Sequence, residues 1–124
     1  SIPSLGHTCL HCCLLVLYVM MPQFMSPEIA LGMSFGLAAD IFSYGILLAE
    51  VITGREPSND AGREFLKRTA RNQFCLDEEE LRENILEGCP EELQVMALQC
   101  CDGESDYRPS ASQCVEILEV LFCV

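Results

Sequence analysis

The sequence predicts an all-α fold. Three observations carry this: no segment alternates apolar and polar residues as a half-buried strand does, apolar residues recur at helical spacing through the second half, and those stretches open on capping residues or stop at glycine. At 124 residues, with no internal repeat, the chain has the length of one domain. A compact fold of that size buries about two thirds of its unfolded surface, so one core is expected.

The first element is the apolar run 12–21, whose β-branched and aromatic content suits a buried strand or a core helix equally. It is about half the ~20 residues that a membrane-spanning helix needs, so it is not expected to span. Residues 38–53, AADIFSYGILLAEVIT, are apolar on nearly every face, with Asp40 at the start and Glu50 near the end. An all-round apolar helix is a buried one, and Gly54 is placed to take the left-handed conformation that ends it. This is the expected central helix.

Residues 55–59, with Pro57, read as a turn, and residues 64–72 read as a mixed helical segment. Asp77 and Glu80 form a capping box for a short helix whose apolar face is Leu81, Ile85 and Leu86. The acidic cluster 77–80 there meets the positive end of the helix dipole. Pro90 suits a first helical position, and Leu93, Met96, Ala97 and Cys100 repeat at helical spacing before Gly103 interrupts. Ser110 and Gln113 cap a last helix that turns Cys114, Ile117, Leu118, Leu121 and Phe122 inward.

Nineteen acidic against seven basic residues give a net charge of −12. That charge repels polyphosphate and anionic lipid and leaves no basic stripe, so nucleic acid is not an expected partner. The apolar share of 50% is slightly rich for a soluble domain, and part of it is expected to face a partner. Nine scattered cysteines, an odd number with no basic-headed signal peptide before them, give no disulfide framework; a reducing, cytoplasmic compartment is expected.

Five soft ligands, His7, Cys9, His11, Cys12 and Cys13, crowd one short stretch, and Cys9 and Cys12 have zinc-ligand spacing. A closed site takes two ligand pairs, yet Cys75, Cys89, Cys100, Cys101 and Cys114 fall in or beside apolar faces. The stretch therefore reads as small apolar cysteines with incidental histidines, and no metal is expected. Both histidines lie in it, leaving no base for a nucleophile elsewhere, and neither a GxSxG elbow nor a glycine-rich phosphate loop is present. Gly32 and Gly36 have the wrong spacing and no lysine follows them.

The informative residues lie elsewhere: Phe24-Met25-Ser26-Pro27-Glu28-Ile29, then Asp40-Ile41-Phe42-Ser43-Tyr44-Gly45-Ile46-Leu47-Leu48-Ala49-Glu50, then Cys100-Cys101 followed by Asp106-Tyr107-Arg108-Pro109-Ser110. In order and spacing they resemble the second half of a eukaryotic protein kinase domain, and the acidic piece LDEEELRENILEGCP is similar to the tyrosine-kinase-like group of Ser/Thr kinases. The resemblance divides the chain into an atypical lead-in, 1–18, and a partial kinase carboxy-terminal lobe, 19–124. It runs from the end of the activation segment through the helices conventionally lettered F to I.

The resemblance makes Ser26-Pro27-Glu28 the motif that closes the activation segment, and makes Glu28 the partner of Arg108. A planar guanidinium grips a carboxylate with two hydrogen bonds, and removing either member of a buried pair costs about 3–5 kcal/mol. It places Asp40 where the family's central helix accepts hydrogen bonds from the catalytic-loop backbone, and Phe42 where an aromatic packs against the Pro-Glu turn. Gly45 belongs to the same helix motif. Leu47 and Val51 match positions on which the family's hydrophobic spine stands, and Met25 and Glu50 match positions that contact substrate.

The departures bear on activity. The family needs a glycine-rich loop over ATP, a strand lysine paired to a helix glutamate, a His-Arg-Asp loop and an Asp-Phe-Gly metal site, and none occurs here. Met20-Met21-Pro22 stands where Gly-Thr-Pro is usual, while Gln23-Phe24 leans towards the Ser/Thr side. No catalytic or cofactor-binding residue is therefore expected in this chain, ATP and Mg belonging to a complete parent domain. The expected partners are protein substrates or regulators of that parent kinase. The alternative is a non-catalytic helical interaction module, truncated or pseudokinase-like, and marginal stability is expected either way.

Overall fold

The computed structural model describes residues 22–57 and 65–122. The apolar run 12–21, the lead-in 1–18 and the zinc-like cluster from His7 to Cys13 lie outside the described residues. Among the described residues the structure is all helical, with no strand. A 3-10 turn, Pro22–Phe24, leads to a four-residue helix α1, Pro27–Ala30, and then to the long helix α2, Leu37–Thr53. A 3-10 turn at Ala70–Asn72 precedes α3, Glu78–Glu83, then α4, Glu91–Cys100, a 3-10 turn at Ser105–Tyr107, and α5, Ala111–Phe122.

Helix α2 is the axis of the fold, packing against α4, the Pro22–Phe24 turn and the Ser105–Tyr107 turn. Ala39, Phe42, Ile46, Ala49 and Ile52 recur along it at helical spacing and are all buried. They meet Leu93, Met96, Ala97 and Cys100, the α4 stripe that the sequence predicts, every one of them buried. The two helices approach closely at Gly45. A Cβ there would stand 2.7 Å from both Cys100 Cβ and Cys101 Sγ. Helix α2 ends as expected at Gly54, whose left-handed φ of 69° lets its N–H donate to Glu50 O at 2.8 Å.

One expectation for α2 needs correction. It is not buried all round: Leu47 is 47% and Val51 62% exposed, four residues apart on one face. An apolar composition on every side fixes what a helix can bury, and nothing in the described residues covers this side fully.

Residues 65–69 are not helical, contrary to the expectation for 64–72; a single 3-10 turn at Ala70–Asn72 is all that forms in the described part. Leu66, Gln73 and Phe74 hold positive φ values of 51°, 58° and 58°, which a right-handed helix does not tolerate. Tertiary bonds impose this path. Leu66 N–H donates to the Glu80 carboxylate, and Arg68 donates to Phe74 O at 2.8 Å and Gln23 O at 2.7 Å. Arg55 closes over the Phe65 ring, 4.2 Å from its centroid, and donates to Asn84 Oδ1 at 2.8 Å.

The same bond revises the α3 capping box. Asp77 Oδ1 accepts from Glu80 N–H at 3.1 Å, but the Glu80 carboxylate serves Leu66 instead of returning to Asp77. Leu81 is buried on α3 as expected, whereas Ile85 and Leu86 lie past its end. Leu86 is 55% exposed, and its N–H satisfies Ile52 O, one of the carbonyls that α2 leaves open at its terminus. Pro90 caps α4 from just outside rather than opening it, because its ψ of 138° is extended. The capping box of α5 is complete: Ser110 N–H donates to Gln113 Oε1 at 2.8 Å and Gln113 N–H to Ser110 Oγ at 3.2 Å. Cys114 is buried on α5 and Ile117, Leu118 and Leu121 partly so, but Phe122, expected inside, is 59% exposed at the helix end.

Candidate functional site

The described residues converge on Arg108. Its side chain is fully buried and the Glu28 carboxylate nearly so, at 0% and 11% exposure. Nη1 donates to Glu28 Oε2 at 2.7 Å and Nη2 to Glu28 Oε1 at 2.8 Å, a two-pronged grip. Nη1 also donates to Ala38 O at 2.9 Å, and Nε to Asp102 O at 2.8 Å. One guanidinium thus ties α1, the start of α2 and the loop after α4.

Local sequence presents Glu28 to it. Ser26, fully buried, caps α1 by accepting the Ile29 N–H on its Oγ at 3.4 Å, and Pro27 fits the first helical position because its missing N–H needs no partner. Glu28 then sits in the first turn, where the helix dipole favours its charge. Burial pushes the Glu28 carboxyl up; hydrogen bonds from Arg108 and from backbone, the Arg108 charge and the Ser26 hydroxyl outweigh it, and the net effect is a value below 4.5.

Phe42, fully buried on α2, lies under two cations: Arg108 stands 5.0 Å and Arg68 4.8 Å from its ring centroid. Arg68 in turn holds the Pro22–Phe24 turn through Gln23 O, and Ser43 on α2 donates to Phe24 O at 2.7 Å. Burial lowers the Arg68 guanidinium to about 10, which leaves it protonated at neutral pH. Arg68, Ser43 and the carbonyls of Ala38 and Asp102 have no motif in the sequence. The sole available signal was that so acidic a chain has only seven basic residues, six of them arginine.

The structure brings Ser26, Pro27, Glu28, Phe42 and Arg108 together. Asp40 lies in the first turn of α2, and the spacing of Asp40, Leu47 and Val51 places them along one stripe of that helix. Met25 and Glu50 are half-buried, Met25 beside the Ser26 cap and Glu50 one turn from the end of α2. Gly45 faces α4 on another side. Among the described residues no His, Cys, Asp and Glu side chains gather as metal ligands, and no helix is long and apolar enough to cross a membrane.

The family model for protein tyrosine and serine/threonine kinases matches residues 18–118. The chain is 40% identical over 95 residues to a RasGEF domain-containing serine/threonine-protein kinase X of Dictyostelium discoideum, an overlap of 77% of this chain and 10% of that protein. It is 39% identical over 100 residues to a kinase and exchange factor for Rac A of the same organism, covering 79% and 7%. To LIM domain kinase 1 of Drosophila melanogaster it is 37% identical over 99 residues, covering 80% and 7%. The chain thus spans 7% to 10% of the length of these relatives.

Proposed function

The chain belongs to the protein tyrosine and serine/threonine kinase family, and from that premise we propose that it forms the lower part of a carboxy-terminal lobe whose parent domain transfers phosphate from ATP to protein Ser or Thr in signal transduction. The observation that carries this reading is the two-pronged Glu28–Arg108 pair, which joins a Ser-Pro-Glu turn to a helix-flanking arginine 80 residues away. The acidic segment around α3 supports the tyrosine-kinase-like group. A cytoplasmic location is supported by the free thiols of Cys100, Cys101 and Cys114 and by the kinases that the chain resembles.

Phosphoryl transfer is largely positioning and charge stabilisation. In this reading the chain supplies support. Ser26-Pro27-Glu28 anchors the end of the activation segment, Asp40 receives the catalytic-loop backbone, Leu47 and Val51 seat the hydrophobic spine, and Met25 and Glu50 face protein substrate. The described residues do not fit ATP-Mg: no glycine-rich phosphate loop, His-Arg-Asp or Asp-Phe-Gly sequence occurs among them to hold it.

The 124-residue chain alone is therefore expected neither to bind ATP-Mg nor to transfer phosphate. Its melting temperature should be unchanged by ATP-Mg, and a labelled general substrate should stay blank; a shift or incorporation would sink this point. The parent activity is tested separately by replacing the matching segment of an active relative with residues 23–121. A folded chimera should phosphorylate, and total loss of activity in it would overturn the reading.

A second reading, a non-catalytic helical interaction module, is favoured by the exposed Leu47 and Val51. The coding sequence upstream of Ser1 separates the two. His-Arg-Asp and Asp-Phe-Gly motifs in frame there support the kinase; a start and regulatory region directly upstream support the module.

A further inference from the structure

An apolar groove of about 480 Å³ runs between α4 and α5. Val95, Met96, Ile117, Val120 and Leu121 line it. Met96 is fully buried at its base, while Val95 is 43% and Val120 79% exposed along its sides. Glu91 and Glu92 from α4 and Glu116 from α5 form its rim, and among the described residues no basic side chain lines it. Through Gln99, Glu116 and Ile117 the groove continues into a polar recess that adds Asp106 and Tyr107. The helix dipole explains Glu91 and Glu92 in the first turn of α4, but not Glu116, which lies beyond the first turn of α5.

We propose that this groove is a docking site for a basic amphipathic helix of a partner protein. A trough between two helices accepts apolar anchors at i, i+3, i+4 and i+7 of a third, and the carboxylates above it select an occupant whose flanks carry Lys or Arg. The charge argues against the nearer occupants. Residues 1–21 of this chain contain no Lys or Arg, and a second copy brings its own −12. The site uses none of the Glu28–Arg108 residues except that Arg108 lines the far recess with its charge already taken.

The test uses the full chain and a labelled synthetic peptide about four helical turns long, with leucines at i, i+3 and i+4 spacing and lysines on both flanks. Fluorescence anisotropy should show saturable one-to-one binding. The peptide with Glu for every Lys, and the peptide with Ser for every Leu, should not bind. Val120→Ser and Glu116→Lys, both at exposed positions, should each weaken binding about tenfold or more, while Glu79→Lys on α3 leaves it within about twofold. Helical circular dichroism equal to that of the unmodified chain confirms that the variants fold. Equal weakening by Glu79→Lys and Glu116→Lys would reduce the effect to diffuse charge and overturn the proposal. So would an absence of saturation, or self-association of the chain that Val120→Ser abolishes.

Discussion

Arg108 makes four hydrogen bonds with its five N–H donors, and this satisfaction is what permits a cation to be buried at all. Glu28→Gln removes the negative charge and leaves the guanidinium uncompensated, at an expected cost of about 3–5 kcal/mol. Arg108→Lys should not restore stability, since an ammonium cannot reproduce the fork. The pH dependence follows from the same pair. The folded Glu28 carboxyl lies below 4.5, so the unfolded state takes up the proton first as pH falls. The pair's contribution is complete above that value and is lost as pH drops through the folded one. Urea unfolding should therefore show the full gap between the unmodified chain and Glu28→Gln near neutrality, and a narrowing gap in acid; a gap constant across that range would refute the assignment. The partnership of Glu28 with Arg108 was legible only through resemblance to a family. The carbonyls of Ala38 and Asp102, and the second cation from Arg68, were not legible, because backbone acceptors leave no trace in side-chain sequence.

At the level of elements, the seam between α2 and α4 depends on one missing Cβ. Gly45→Ala should destabilise by about 1–3 kcal/mol or more through overpacking against Cys100 and Cys101, although alanine is the better helix former. Val51→Ala is the control, since that side chain lies exposed on the same helix. Thermal melts of both should separate them, and equal melting temperatures would remove Gly45 from its spacing role. Helices α2, α4 and α5 were legible because each buries a long periodic stripe or carries a terminal signal such as Gly54 or the Ser110–Gln113 box. Residues 65–72 were not, because their local helical bias loses to bonds from Glu80 and to the anchoring of Arg68, both made by distant parts of the chain. Phe122 shows the complementary failure: periodicity gives the direction of a side chain but not where the neighbouring helix stops.

For the molecule as a whole, the apolar surplus of the composition is visible as surface. Leu47 and Val51 lie exposed on the same helix whose opposite side is the core. Replacing both with Gln should leave the urea midpoint nearly unchanged and lower aggregation in light scattering, whereas Ile46→Ala, one residue away and buried, should cost about 2–5 kcal/mol. A loss of stability in the double variant comparable to Ile46→Ala would mean that this stripe is covered after all. The sequence indicated that apolar area would be left over, but not on which side, since that depends on which stripe of α2 faces α4.

Glu28 and Arg108 are 80 residues apart, and the length-dependent entropy of closing so long a loop is roughly 4 kcal/mol, well above the ~1 kcal/mol at most that a solvated ion pair returns. In an unfolded chain the contact would form and dissolve without profit. Once the intervening helices have brought the ends together it becomes nearly free to make and costly to break. It should therefore be absent from the folding transition state, so that Glu28→Gln accelerates unfolding in stopped-flow experiments while leaving the refolding rate close to that of the unmodified chain. The two residues would then govern less how the lobe assembles than how long it lasts.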